Sequence, residues 1–136
     1  LTRIMPAPLF VTAAELVTPA NRQTPIAAKV TFRSPAASAN APLTADVDWR
    51  ETGPQSWNID IETEAGRKLA LREGGSKLAV DGHLRVEQPM QEYERVYERF
   101  AELLERGESD MHVAPLQLVA DAFLVGRRLE TDPFEW

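Results

Sequence analysis

Residues 48–59 read DWRETGPQSWNI and place a tryptophan on either side of a Gly-Pro turn. Apolar and polar side chains alternate from Leu43 to Arg50 before the turn, and they alternate again from Trp57 to Glu64 after it. Such alternation is typical of a strand with one buried face, so this stretch predicts two strands joined by a turn. Both indoles are then expected at one end of one sheet face.

Two interpretations are open for the tryptophans. An indole either closes a core or forms a flat apolar platform, which suits the CH face of a sugar ring. We expect Trp49 to belong to the core. Trp57 is the first residue of its strand and lies next to the turn, so it is the better ligand candidate.

The same reasoning predicts further strands and two helices. The other segments rich in branched residues are Leu9–Val17, Ile26–Arg33, Lys68–Arg72, Lys77–Val80 and, more weakly, Leu84–Glu87. Ala65-Gly66 and Gly74-Gly75 lie between strands and predict hairpin turns. Apolar residues recur at helical spacing from Tyr93 to Leu104, before Gly107, and a second helix opens with Pro115.

The order of strands followed by helices predicts an α+β fold, with an open, mostly antiparallel β-sheet and helices packed on one face. We expect a single domain over residues 1–136, with the sheet at 9–87, the helices at 88–128 and the tail of a truncated helix at 1–5. The second helix is apolar nearly all round from Leu116 to Val125, so it must be covered on more than one side.

Composition excludes several classes of function. The net charge of −6 argues against nucleic acid as a partner, because phosphate-binding proteins gather Lys and Arg on one surface. Cysteine is absent, which excludes disulfides, thiolate metal sites and cysteine nucleophiles. No apolar stretch approaches the roughly 20 residues that span a bilayer. We therefore expect no membrane partner and a cytoplasmic location.

Catalytic motifs are sparse. The chain has no glycine-rich phosphate loop, and neither His83 nor His112 has a second ligand at the spacing of a helical metal site, so we expect no metal. Both histidines are expected at the surface. Asp121, inside the apolar helix, favours a polar seam over a contact in a cleft. The Arg127-Arg128 pair is expected at a helix end, where it complements the helix dipole.

Three stretches together resemble bacterial galactose and arabinose 1-dehydrogenases of the glucose–fructose oxidoreductase/inositol dehydrogenase (Gfo/Idh/MocA) family. They are residues 48–59, the stretch GGSKLAVDG at 74–82, and the helix PLQLVADAFLVGRR at 115–128. The likeness covers essentially the whole chain. It identifies the chain as the C-terminal domain of a two-domain oxidoreductase whose N-terminal Rossmann domain binds NAD or NADP.

The resemblance implies oxidation of an aldose at its anomeric carbon to a lactone. It transfers no catalytic residue onto this chain, so the chain alone is expected to be inactive. Trp57 is the residue expected to contact the sugar, with Trp49 and Gln55 behind it, and the sheet is expected to form a homo-oligomer. Two alternatives are a non-enzymatic sugar or nucleotide sensor of the same architecture and a free-standing interaction domain.

Overall fold

The computed structural model describes residues 1–89 and 91–135, and within them the chain has the predicted α+β fold. The strands are β1 Phe10–Pro19, β2 Ala27–Arg33, β3 Leu43–Asp48, β4 Ile59–Glu62, β5 Lys68–Arg72, β6 Lys77–Val80, β7 His83–Glu87 and β8 Arg127–Thr131. The helices are α1 Glu92–Arg106 and α2 Ala114–Val125. A short 3-10 turn at Glu73–Gly75 joins β5 to β6.

The strands form two sheets, where the sequence predicts one. The first sheet has the order β3-β2-β1-β8 and the second the order β4-β5-β6-β7. All pairs are antiparallel except that of β1 with β8. β3 and β4 are the consecutive strands at which the chain passes from the first sheet to the second, and the segment from Trp49 to Asn58 joins them.

The chain also divides into two compact units, where the sequence predicts a single domain. The described residues of Leu1–Glu51 and Met111–Trp136 form unit 1, and those of Thr52–Asp110 form unit 2. Unit 1 therefore contains the first sheet and α2, and unit 2 contains the second sheet and α1. At the start of unit 1, the carbonyl of Leu1 accepts hydrogen bonds from the amides of Ile4 and Met5, which closes a single turn.

The core of unit 1 lies where α2 packs on the first sheet. Its buried side chains are Ala14, Leu16, Val30 and Ala122, with Val11, Ala28 and Phe32 packed against them. The opposite side of α2 is open, since Leu116 is 73% exposed and Leu124 is 81% exposed. The second cover that the sequence predicts for this helix therefore does not come from the described residues of unit 1.

The helical prediction for residues 88–128 is wrong at its end, because Arg127 and Arg128 belong to β8. The chain leaves α2 at Gly126, whose φ of −71° and ψ of 140° are extended. Leu16 then pairs with Arg128 in the parallel ladder, and the Arg127 guanidinium donates to the Glu15 carboxylate at 2.7 Å. The two arginines are thus strand residues, and the prediction that they complement a helix dipole is wrong.

Unit 2 is a meander of short strands, and its register groups most of the branched apolar side chains on one face. Ile59, Leu71, Leu78 and Val86 lie opposite one another across the four strands, as do Ile61, Leu69 and Val80. The predicted turns at Gly66 and at Gly74-Gly75 both connect strands of this sheet.

Helix α1 ends as predicted, at Gly107, which adopts the left-handed conformation with φ 62°. Its apolar side is largely exposed, at residues Tyr93, Val96, Tyr97, Phe100 and Leu104. The sequence predicts that both helices pack on a sheet face, and among the described residues only α2 shows this packing, against β1.

Candidate functional site

Trp49 is a surface residue, which corrects its predicted place in the core. It follows the last residue of β3, an edge strand, and its side chain is 67% exposed. Its backbone amide donates to the carbonyl of Ile26 at 3.0 Å, which fixes the backbone while the indole points away from the core. The alternation from Leu43 to Trp49 correctly indicates a strand, but β3 ends before the tryptophan, and no further strand of the described residues covers it.

An ion pair holds the turn that carries Trp49. The Arg50 guanidinium binds the Asp48 carboxylate through two bonds, Nε to Oδ1 at 2.9 Å and Nη2 to Oδ2 at 2.6 Å. The Arg50 backbone amide also donates to Oδ1 at 2.9 Å. These hydrogen bonds stabilise the carboxylate and lower the pKa of Asp48 to about 2. At neutral pH the Asp48–Arg50 ion pair therefore stabilises the turn on which Trp49 lies.

We expect this turn to loosen only in strong acid. Because the pKa of Asp48 is lowered on folding from 3.8 to about 2, the stabilisation is fully present above pH 3.8 and is lost as the pH falls through about 2. A carboxyl-carbon NMR titration should give a midpoint near 2 for Asp48. In Arg50→Met the midpoint should rise toward 3.8, whereas Lys29→Met, which removes the partner of Asp46, should leave it unchanged. An Asp48 midpoint near 3.8 in the unmodified protein would contradict the ion pair.

Trp57 is half exposed, and its indole lies close to Gly75 in the turn between β5 and β6. A β-carbon placed on Gly75 would lie 3.7 Å from Cζ3 and 3.8 Å from Cη2 of the indole. These atoms form the outer edge of the benzene ring, so the space between Gly75 and the indole is just wide enough for a methyl group. The side chain is 50% exposed, and it therefore offers apolar ring surface to solvent.

The structure does not bring the two tryptophans onto one sheet face, so that prediction is wrong. Trp49 follows a strand of the first sheet in unit 1, whereas Trp57 precedes β4 of the second sheet in unit 2. Gln55 is exposed and belongs to unit 2, two residues before Trp57. Among the three candidate residues, Gln55 and Trp57 therefore share a unit.

The sequence offers no reason to connect Gly75 with Trp57, although the structure places them close to each other. The Gly74-Gly75 pair is visible in the sequence, but it predicts only a hairpin. Both glycines have positive φ, 68° and 87°, and Glu73 before them also has a positive φ of 51°. The two residues are far apart along the chain, and local sequence patterns do not predict which distant residues come close together.

An open depression of about 380 Å³ also lies in unit 2. It is lined by Glu73, Ser76, Lys77, Glu87, Gln88 and Pro89. The Lys77 Nζ lies 2.8 Å from Glu73 Oε1 and 3.4 Å from Glu87 Oε1. Hydrogen bonds to Glu73 and then to Glu87 raise the pKa of Lys77, so its amine is protonated at neutral pH. It is unsuited to act as a neutral base, and we interpret this cluster as structural.

The remaining candidates keep their predicted surface positions. His83 opens β7 and His112 precedes α2, and both are exposed. Asp121 is half-buried on α2. The described residues contain no group of three or more His, Cys, Asp or Glu side chains that could hold a metal ion. None of the described helices is both long enough and apolar enough to cross a bilayer.

Comparisons with known proteins confirm the resemblance to galactose 1-dehydrogenases. The galactose 1-dehydrogenase of Pseudomonas fluorescens is 37% identical over 134 residues, which cover 98% of this chain and 43% of the relative. A crystal structure of D-galactose-1-dehydrogenase from Rhizobium etli matches with a TM-score of 0.87 and 48% identity, over 98% of this chain and 41% of the other. No family model matches the chain. The chain thus spans less than half the length of the proteins it resembles.

Proposed function

We propose that this chain is the C-terminal domain of an NAD(P)-dependent aldose 1-dehydrogenase of the galactose or arabinose type. In the proposed reaction, the sugar is oxidised at its anomeric carbon to a lactone. The observation that carries the proposal is the match to two galactose 1-dehydrogenases over 98% of the chain. The proposal extends to a cytoplasmic location and to a homo-oligomer formed through the sheet.

The described residues do not fit a nicotinamide dinucleotide. Such a cofactor needs a glycine-rich turn between a strand and the helix that follows it in a parallel sheet. In this chain Gly74-Gly75 joins the antiparallel strands β5 and β6, with no helix behind it. We therefore assign the cofactor to an N-terminal Rossmann domain outside this chain, and expect the chain alone to be inactive.

The proposed contribution of this chain is to bind the sugar. Trp57 would stack on the CH face of the pyranose, because its indole is half exposed. Gln55 carries an amide that can donate to and accept from sugar hydroxyls. Trp49 offers a second exposed indole on a turn fixed by Asp48 and Arg50.

Exposed apolar surface on the helices is consistent with a domain that has neighbours. The outer side of α2 carries Leu116, Val119, Phe123 and Leu124, all of them more than half exposed. Monomeric soluble proteins rarely leave such a contiguous surface uncovered. We propose that the N-terminal domain or another subunit covers it, which favours a part of a larger enzyme over a free-standing interaction domain.

The test is the formation of NADH or NADPH, followed by the absorbance of the reduced nicotinamide, in the longest natural form of the protein. D-Galactose, L-arabinose and D-glucose are each offered with NAD and with NADP. Sugar-dependent reduction would establish the dehydrogenase and identify its substrate. Binding of cofactor and sugar without any turnover would contradict the proposal and favour the sensor.

Trp57→Ala is expected to raise the KM for the sugar about tenfold and to change kcat little. Stacking on an indole contributes up to about 1.5 kcal/mol, which corresponds to about tenfold in affinity, and a contact made equally in the ground and transition states affects KM alone. Tyr93→Ala is the matched control, since it removes another exposed aromatic ring of unit 2, which is not a candidate. An unchanged KM in Trp57→Ala would remove Trp57 from the site.

A further inference from the structure

We propose that Gly75 is a positioning residue for Trp57, and that its missing side chain allows the indole to lie against the β5–β6 turn in the orientation that meets the sugar. This inference rests on the proposed function, in which Trp57 stacks on the substrate. Gly75 itself does not touch the sugar. Its role is to set where the ring stands.

The space beside Gly75 is limited by the indole of Trp57. A β-carbon at this position fits at 3.7 Å from the nearest indole carbon, which is ordinary van der Waals contact. Because a β-carbon there would already be in van der Waals contact with the benzene ring, a longer side chain has little room beside the indole. The methyl group of an alanine therefore fits beside the ring, whereas we expect the larger side chain of a leucine to displace it.

Other glycines of unit 2 provide the comparison. Gly66 and Gly82 also stand in turns between strands, with φ of 74° and 79° against 87° at Gly75. A β-carbon added at either position would have no heavy atom within 4 Å, so a side chain there enters open space. All three positions share the cost of placing a side-chain-bearing residue at positive φ. Of the three, Gly75 is the one that faces an indole.

Trp57 lies outside the strands, so its ring position is sensitive to the space beside Gly75. Trp57 precedes β4, and every residue from Glu51 to Asn58 is exposed. In such a segment, backbone pairing does not fix the ring. A side chain at position 75 that is larger than a methyl group would therefore shift the ring without having to disturb a strand.

The experiment compares alanine and leucine at Gly75 and at Gly82 in the longest natural form of the protein, with D-galactose as the probe. We expect Gly75→Leu to raise KM by about five- to tenfold with little change in kcat, close to the effect of Trp57→Ala. Gly75→Ala, Gly82→Ala and Gly82→Leu should each stay within about twofold of the unmodified protein. Equal KM values for Gly75→Leu and Gly82→Leu would overturn the inference.

An NMR measurement tests the contact without activity, should Gly75→Leu fail to fold. The ring current of Trp57 should shift the Gly75 α-proton resonances, and Trp57→Leu should abolish that shift while leaving the Gly82 resonances unchanged. No difference at Gly75 would overturn the contact. Absence of sugar-dependent turnover in the unmodified protein would instead refute the proposed function and with it this role, whereas turnover with KM unaffected in Gly75→Leu refutes the role of Gly75 alone.

Discussion

Gly126→Ala is expected to lower the free energy of unfolding of unit 1 by about 2–3 kcal/mol, because the chain leaves no space for a methyl group where α2 ends. A β-carbon on Gly126 would overlap the carbonyl oxygen of Ala122, and it would lie 3.0 Å from Cδ1 and 3.1 Å from Cγ of Leu16. The carbonyl belongs to the last turn of α2, and Leu16 is a core residue of β1. Neither neighbour can move without disturbing the packing of α2 on the sheet.

The sign of this effect is opposite to that of an ordinary glycine replacement. Gly126 has φ −71° and ψ 140°, a conformation that alanine adopts without strain. At such positions alanine usually stabilises by about 0.4–1 kcal/mol, since it restricts the unfolded chain. A net destabilisation at Gly126 therefore means that the steric overlap costs more than this gain from the unfolded chain.

Gly107→Ala provides the control for the Gly126 measurement. Gly107 ends α1 with φ 62°, where alanine is strained, but a β-carbon added there would have no heavy atom within 4 Å. We expect a loss of about 1 kcal/mol there, from the backbone alone. Urea denaturation gives the free energies, and hydrogen exchange of the β1 and β2 amides assigns the loss to unit 1. A Gly126→Ala protein as stable as the unmodified one would contradict the close approach.

The local features of the fold were accessible from the sequence because they depend on neighbouring residues. Alternation predicted β4 around Ile59, and the helical spacing from Tyr93 with a stop at Gly107 predicted α1. The α+β class and the antiparallel hairpins follow from the same patterns and are confirmed. Each of these predictions uses information from a short window of the chain.

Features that depend on distant pairing were missed. β8 follows α2 after a single residue, and its parallel ladder joins Leu16 to Arg128, near the opposite end of the chain. Nothing in the local pattern of Arg127–Thr131 identifies that partner. The division of the strands into two sheets has the same cause, since alternation marks β3 and β4 as strands without saying which strands they pair with.

In the candidate site, too, local features could be predicted from the sequence and long-range ones could not. The position of Trp57 beside a turn correctly indicated an exposed ring, because turns lie at the surface. The prediction of a core position for Trp49 fails because alternation assigns a face but does not reveal that β3 is an edge strand that ends one residue earlier. The closeness of Gly75 to Trp57 joins two separate segments and cannot be inferred from either segment alone.

Leu16→Ala is expected to lower the free energy of unfolding of unit 1 by about 3 kcal/mol. Leu16 is 7% exposed and lies at the centre of the small core with Ala14, Val30 and Ala122. Removing a buried leucine costs the transfer free energy of the lost carbons and leaves a cavity, which together amount to about 2–5 kcal/mol. The other buried members of this core come from β1, β2 and α2, so loss of Leu16 also weakens the packing of α2 on the sheet.

Leu124→Ala is the matched control, because it removes the same atoms from the same unit. Leu124 is on α2 and is 81% exposed, so we expect a change within about 0.5 kcal/mol. Leu124→Ala also tests whether another domain or subunit covers α2. If the N-terminal domain or a second subunit covers α2, Leu124→Ala should leave the isolated chain unchanged and destabilise the longer protein. Equal losses for Leu16→Ala and Leu124→Ala in the isolated chain would mean that α2 packs on β1 through a different face from that of Ala122.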